Sequence, residues 1–502
     1  MALNRRRFVQ GLAGATCIAG APIAAWAKSE HASERCYRRF AARVRDNPAL
    51  DPYRSINVDA LPPQTMRIEG QLPKGLRGVL YRNGPAGFER GRARYQHWFD
   101  GDGMVQRFEI SERGIVHGGR KVVTGKYRAE SDAGRFLFRG SGSSIPDAAP
   151  SPNNDSGNPA TITVVPWNDE LLALWEGGSA FALNPDTLDT KRRIVWSEET
   201  DGMPFSAHPV LEPDGTMWNF GLAHWARHSE GQGVRAIYRL HVRRGLEKAE
   251  LVPLPFAGYM HSFAVTPRWL AFYVAPHVLE PKAGSSYVDS HRFRPTLGGR
   301  ILLVDKNDFK NRRWVDAPAG FVFHFADALE RPDGEIQLRV CWFDNADPMQ
   351  KSMHGVMCGD QASVDETVKV ATLRIRSDWS RARLERSGIE GEFPGIARRF
   401  QSEGGGVLWV TDNDRLHVVS RGGSARTLRA PEGFALEEHR FVPASPESPE
   451  GAGWLLGTAY DQKQRQSALT IFDTRSASPE PVAVARMERR IPFGFHGWFV
   501  GA

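Results

Sequence analysis

Four of the chain's fifteen histidines stand in apolar or aromatic surroundings that set them apart. They are His208 in Pro204-Phe205-Ser206-Ala207-His208-Pro209, His261 in Tyr259-Met260-His261-Ser262-Phe263, His324 in Phe321-Val322-Phe323-His324-Phe325, and His496 in Pro492-Phe493-Gly494-Phe495-His496-Gly497-Trp498. Any one of them alone reads more readily as a packed core histidine. Their wide spacing excludes a local metal motif of the H-E-x-x-H kind. In a radial fold, residues from separate blades can still converge on one axis, and four neutral imidazoles suit a first-row divalent metal. Spacing alone leaves that convergence open.

The elements that would have to position them are short strands. Apolar runs of four to seven residues alternate with turn signals. Thr161–Pro166, the turn at Asn168-Asp169 and Leu171–Trp175 form one such unit. Val210-Leu211, the turn Pro213-Asp214-Gly215 and Met217–Phe220 form another. Pro332-Asp333-Gly334 and Asp412-Asn413-Asp414 mark further turns. Gly 50 and Pro 33 together make about 17% of the chain, above the usual share of about 12%. Gly and Asn tolerate positive φ and Pro presets φ, so this excess fits many tight turns. The length favours an all-β propeller of six to eight blades over one sandwich. Arg35–Asp46 reads as a short basic helix leading into that body, and Gly140–Pro159 as an exposed connection.

Residues 1–27 read as an export signal, 28–60 as an N-terminal extension and 61–502 as the propeller. Asn4-Arg5-Arg6-Arg7-Phe8-Val9-Gln10 precedes an apolar stretch from Gly11 to Trp26 that closes on Ala25-Trp26-Ala27. Paired arginines before Phe8 resemble a twin-arginine signal, which predicts a periplasmic protein. An uncleaved anchor is the alternative. Cleavage removes three arginines and no acid, so the formal charge falls from +7 to +4. No basic cluster is interleaved with aromatics, which argues against nucleic acid as a partner. Cys36, Cys341 and Cys358 then remain, and Cys341–Cys358 is a permissible disulfide.

At larger scale the chain resembles the carotenoid cleavage oxygenases, a family that also includes retinoid isomerases and stilbene-cleaving dioxygenases. The resemblance rests on Leu72-Pro73-Lys74-Gly75-Leu76-Arg77-Gly78-Val79-Leu80-Tyr81-Arg82-Asn83-Gly84-Pro85 and His97-Trp98-Phe99-Asp100-Gly101-Asp102-Gly103-Met104. Leu174-Trp175-Glu176-Gly177-Gly178, Leu183-Asn184-Pro185-Asp186-Thr187-Leu188, Ser206-Ala207-His208-Pro209 and Phe495-His496-Gly497 continue it in order. It implies a seven-bladed β-propeller capped by loops and short helices, with Fe(II) on the axis held by His208, His261, His324 and His496. It implies three outer carboxylates: Glu176, Glu392 in Glu392-Phe393-Pro394, and Glu438, with Glu437 as the neighbouring alternative. It gives His97 no ligand role. Asn83-Gly84-Pro85 and Asp100-Gly101-Asp102-Gly103 read as tight turns.

The reaction implied is O2-dependent cleavage of a conjugated C=C bond of an apolar substrate to carbonyl products. A carotenoid or apocarotenoid is the expected substrate, and a stilbene or phenylpropanoid is the alternative. Phe205, Phe263, Phe323 and Trp498 are candidate tunnel walls beside the histidines. Lys126 lies near where phenol-cleaving members polarise their substrate. An isomerase and a non-catalytic binding propeller are further alternatives. A lipid substrate would require contact with a membrane leaflet, although no amphipathic membrane helix stands out. The protein is expected to be a monomer or weak oligomer.

Overall fold

The computed structural model describes residues 23–145, 147–149, 151–223, 233–280, 285–360, 367–397 and 404–502. Asn4–Gln10, the twin-arginine segment, lies outside the described residues. Seven antiparallel sheets account for the body. Blade 2 spans Thr163 to Arg193, blade 3 Val210 to Leu254 and blade 4 Gly258 to Ala317. Blade 5 spans Phe321 to Glu390 and blade 6 Glu392 to Arg429. The ring closes twice. The C-terminal strand Gly497–Gly501 joins the N-terminal strands as an edge of blade 1, next to Gly78–Gly87. The early strand Arg67–Gly70 joins the far edge of blade 7, beside Ala483–Arg486. Each terminal region thus completes a sheet built mainly from the other.

The expected units appear with small shifts of boundary. Thr163–Trp167 and Glu170–Leu174 flank a turn in which Asn168 takes φ of 51°. Central strands such as Gly453–Asp461 and Trp269–Leu279 are buried along almost their whole length. They are covered on both faces by neighbouring blades, so they show continuous apolar runs without alternation.

The hallmark glycines serve close packing. Asn83-Gly84-Pro85 lies inside the strand Gly78–Gly87 and makes no turn. A Cβ on Gly84 would sit 2.4 Å from the Cα of Gly494, and one on Gly103 would sit 2.4 Å from the carbonyl oxygen of Ala160. The first contact seats the segment before His496 against blade 1, and the second seats blade 1 against the residues leading into blade 2. The connection expected to be exposed over Gly140–Pro159 is anchored at both ends, where Ser143 and Asn158 are fully buried.

A cap covers one end of the propeller. Helix α1 (Ile23–Arg43) is longer than the expected basic helix and runs through the expected cleavage point after Ala27. It leads to a 3-10 turn, Pro48–Tyr53. Two more helices, α2 (Gly125–Ala133) and α3 (Met353–Met357), complete the cap. Cys36 of α1 is joined to Cys358 at the end of α3 by a disulfide, and Arg39 and Arg43 both pair with Asp360 at 2.5 Å. The pairing is therefore not Cys341–Cys358. Cys341 lies fully buried in a strand of blade 5. Sequence separation gave no hint that a helix at the N-terminus returns to residue 358.

Replacing Gly84 by Ala should lower unfolding stability by about 1–3 kcal/mol, since the added methyl must displace backbone. Chemical denaturation against the wild type checks this, and an unchanged midpoint would contradict the close approach.

Candidate metal centre

The innermost strands of neighbouring blades touch one another around the axis. The four histidines ride on these strands or on the residues beside them. His208 precedes Val210–Leu211, His261 follows Gly258–Tyr259, His324 lies within Phe321–Glu330, and His496 precedes Gly497–Gly501. Several of these strands lose register at the site. Pairing shifts between Val322 and Phe325, between Glu392 and Gly395, and between Leu436 and His439. Bulges re-aim side chains, and here they turn His324, Glu392, Glu437 and Glu438 towards the axis. Phe393, at the centre of one bulge, takes φ of 54°.

One ligand atom from each of His208, His261, His324 and His496 lies within 4.8 Å of the others. Three of the rings are held from behind by carboxylates. His261 Nδ1 meets Glu176, His324 Nδ1 meets Glu392 at 2.6 Å, and His496 Nδ1 meets Glu438 at 3.0 Å. Tyr259 donates its hydroxyl to Glu176. Glu438 also accepts from Arg82 at 3.0 Å and from the Gly497 N–H at 2.9 Å. Its neighbour Glu437 takes the other arm of Arg82 at 3.0 Å and the N–H of Gly494. The structure thus divides the two candidates: Glu438 faces a histidine and Glu437 does not.

Burial lowers the pKa of His208, and the other three rings lower it further. Burial likewise lowers His496, to about 4, despite Glu438. Burial alone would raise Glu438, but His496, Arg440 and Arg82 outweigh it and hold the carboxyl well below its usual range. His208 and His496 are therefore neutral and Glu438 charged.

This donor set fits a metal ion. A carboxylate on Nδ1 fixes the proton there and leaves Nε2 as a lone pair. His324 Nε2 and His496 Nε2 then face each other at 3.2 Å with no proton between them. His208 Nε2 and His261 Nε2 are 2.9 Å apart. The approach of His324 and His496, both accepting, is unfavourable unless a shared cation binds them.

Comparison with known proteins agrees. The family described as retinal pigment epithelial membrane protein matches residues 55–501. The chain belongs to this family, the carotenoid cleavage oxygenases. It is 29% identical to the apocarotenoid-15,15'-oxygenase of Synechocystis, over 86% of this chain and 91% of that protein. It is 25% identical to the isoeugenol monooxygenase of Pseudomonas nitroreducens, over 87% and 94%. A solved variant of the Synechocystis apocarotenoid oxygenase superposes with a TM-score of 0.79 at 25% identity, covering 91% of this chain and 99% of that one. The cobalt-substituted form of that oxygenase superposes with a TM-score of 0.78. The seven-bladed, capped propeller implied by the resemblance is the fold found here.

Two cavities approach the centre in this family member. The larger, about 430 Å³, is walled by Trp98, Phe99, Phe323, Phe343, Phe493 and Phe495 and reaches His261, His324 and His496. The smaller, about 130 Å³, reaches His208, His324 and His496 and is lined by Phe263, Trp498 and Arg440. Of the expected wall residues, Phe323 faces the larger cavity, while Phe263 and Trp498 face the smaller. Phe205 lines neither, because it packs against Trp196 and Tyr238 inside the body.

Lys126 lines neither cavity. It is buried on α2, paired with Asp102 at 2.8 Å and Glu130 at 3.1 Å. Burial would lower its pKa, but the two carboxylates reverse this and keep it charged. His97 is buried, with Nε2 on the carbonyl of Met349, and stands outside the four-histidine cluster. Sequence reasoning missed Arg82, which offered no local signal beyond its place in Tyr81-Arg82-Asn83.

Titration with cobalt(II) should give one ion per chain. The variant Glu392→Gln should bind about 10–100-fold more weakly, the usual effect of losing a carboxylate behind a ligand histidine. Unchanged affinity would contradict the anchoring role of Glu392.

Proposed function

We propose that this protein is a non-haem Fe(II) oxygenase that uses O2 to cleave a conjugated C=C bond of a carotenoid or apocarotenoid to carbonyl products. The observation that carries the reading is a four-imidazole, three-carboxylate centre opening onto an aromatic cavity of about 430 Å³. His208, His261, His324 and His496 would hold the ion, and four ligands on an octahedral ion leave two positions open. Ferrous iron, when bound, supplies the one-electron chemistry that lets triplet O2 react with a closed-shell alkene. The chain's residues do the rest. Glu176, Glu392 and Glu438 orient the rings and offset buried positive charge. Phe99, Phe323 and Phe495 exclude water and lay a flat conjugated chain beside the imidazoles.

A phenylpropanoid or stilbene substrate is the second reading, supported by similarity to an isoeugenol monooxygenase. Against it stands Lys126, whose ammonium is spent on Asp102 and Glu130. For location, the twin-arginine-like segment and the Cys36–Cys358 pair both suit export to an oxidising periplasm.

Iron-loaded protein incubated aerobically with apocarotenals and with stilbenes under ¹⁸O2 tests the reading. Label in aldehydes derived from the polyene is expected. Isomerised product without label would overturn cleavage, and turnover confined to stilbenes would overturn the substrate class.

A further inference from the structure

The large cavity is strongly biased in charge. It is lined by Glu390, Glu392, Asp412 and Glu437 and by no lysine or arginine among the described residues. Glu390 and Asn413 are exposed and mark its rim. Glu392 is committed to His324, and Glu437 to Arg82 and the Gly494 N–H. Away from the four-histidine centre, a substrate carboxylate entering here would find like charge and no lysine or arginine to pair with.

One fixed donor faces this space. Tyr53 lines the cavity, and its hydroxyl has no partner among the described residues. Burial, reinforced by Glu437, raises its pKa and keeps it protonated. The residue is rigidly set. Its ring is clamped edge-on by Trp98 at 5.4 Å and Phe493 at 5.7 Å. Its carbonyl accepts from the buried Arg94. The preceding turn is pinned through Asp51 by Tyr460 at 2.7 Å and by Arg465. Trp98 also packs on Phe495 at 4.5 Å, so Tyr53 stands one ring back from the residue beside His496. Ser352 and Thr367 also bring hydroxyls to the wall, but without such a clamp.

We infer that Tyr53 is a specificity-determining residue that donates a hydrogen bond to a neutral oxygen terminus of the substrate, an aldehyde or alcohol, while the acidic lining rejects the corresponding carboxylate. The inference deepens the proposed function and rests on the same cavity. A preorganised donor in an apolar wall fixes how far a long polyene slides in, and hence which double bond lies over the centre.

The test compares wild type with Tyr53→Phe, which keeps the ring and its packing. The probes are one polyene ended in turn as aldehyde, alcohol, carboxylate and hydrocarbon. Binding is read without O2 by quenching of tryptophan fluorescence in metal-loaded protein, so it stands apart from whether cleavage occurs. KM and kcat follow in air. Tyr53→Phe should weaken aldehyde and alcohol binding about three- to tenfold, the loss of one hydrogen bond to a neutral group, and leave the hydrocarbon within about twofold. The wild type should bind the carboxylate at least about tenfold more weakly than the alcohol. Equal loss for hydrocarbon and aldehyde, no loss for either, or carboxylate binding as tight as alcohol binding would overturn the inference. Absence of cleavage with this binding pattern intact would count against the oxygenase reading and spare Tyr53.

Discussion

Imidazole lone pairs from four segments converge at the propeller axis, and the rest of the structure is arranged around holding them there. Carboxylates behind three of the rings fix the protons on Nδ1, so those three Nε2 atoms can only accept. Without a cation His324 Nε2 and His496 Nε2 are acceptors facing each other at 3.2 Å, which protein interiors do not tolerate cheaply. A cation bound by His208, His261, His324 and His496 would satisfy these lone pairs. The unfavourable approach of the rings is therefore the clearest structural sign of function.

Holding such a cluster requires a frame that cannot relax. Closure of the ring at two places gives it that property, since blade 1 needs the C-terminal strand and blade 7 needs Arg67–Gly70. His496 is delivered by the first of these closures. Gly84 lets the Phe493–Phe495 segment lie against the strand that carries Arg82, and Arg82 then neutralises Glu437 and Glu438 together. Fold closure and charge compensation at the centre thus run through one stretch of backbone. The cap works at the other end of the cavity, where α1, the turn at Pro48–Tyr53 and α3 are bound by a disulfide and by Arg94.

Much of this was legible in the sequence because turns and buried strands leave strong local marks. Pro213-Asp214-Gly215 and Asn168-Asp169 are turns where expected, and the four histidines stood out through their aromatic neighbours. What was not legible depended on register or distance. Glu437 and Glu438 could be divided only by the bulge between Leu436 and His439, which no sequence pattern announces. Asn83-Gly84-Pro85 has turn composition, yet close packing against Gly494 is what its glycine serves. Phe205 was drawn towards the site by its place beside His208 and Lys126 by the resemblance, whereas packing on Trp196 and Tyr238 and an internal ion pair turn them away. The return of Cys36 to Cys358, 322 residues along the chain, is a tertiary fact with no local trace.

X-ray absorption at the iron edge of the protein purified with its metal tests the central claim most directly. Four imidazoles on one ferrous ion predict a nitrogen shell with the multiple-scattering pattern of four histidine rings, reduced by one ring in His324→Ala. A spectrum dominated by oxygen or sulfur ligands, or one unaltered in that variant, would show that the axial cluster is not where the metal sits.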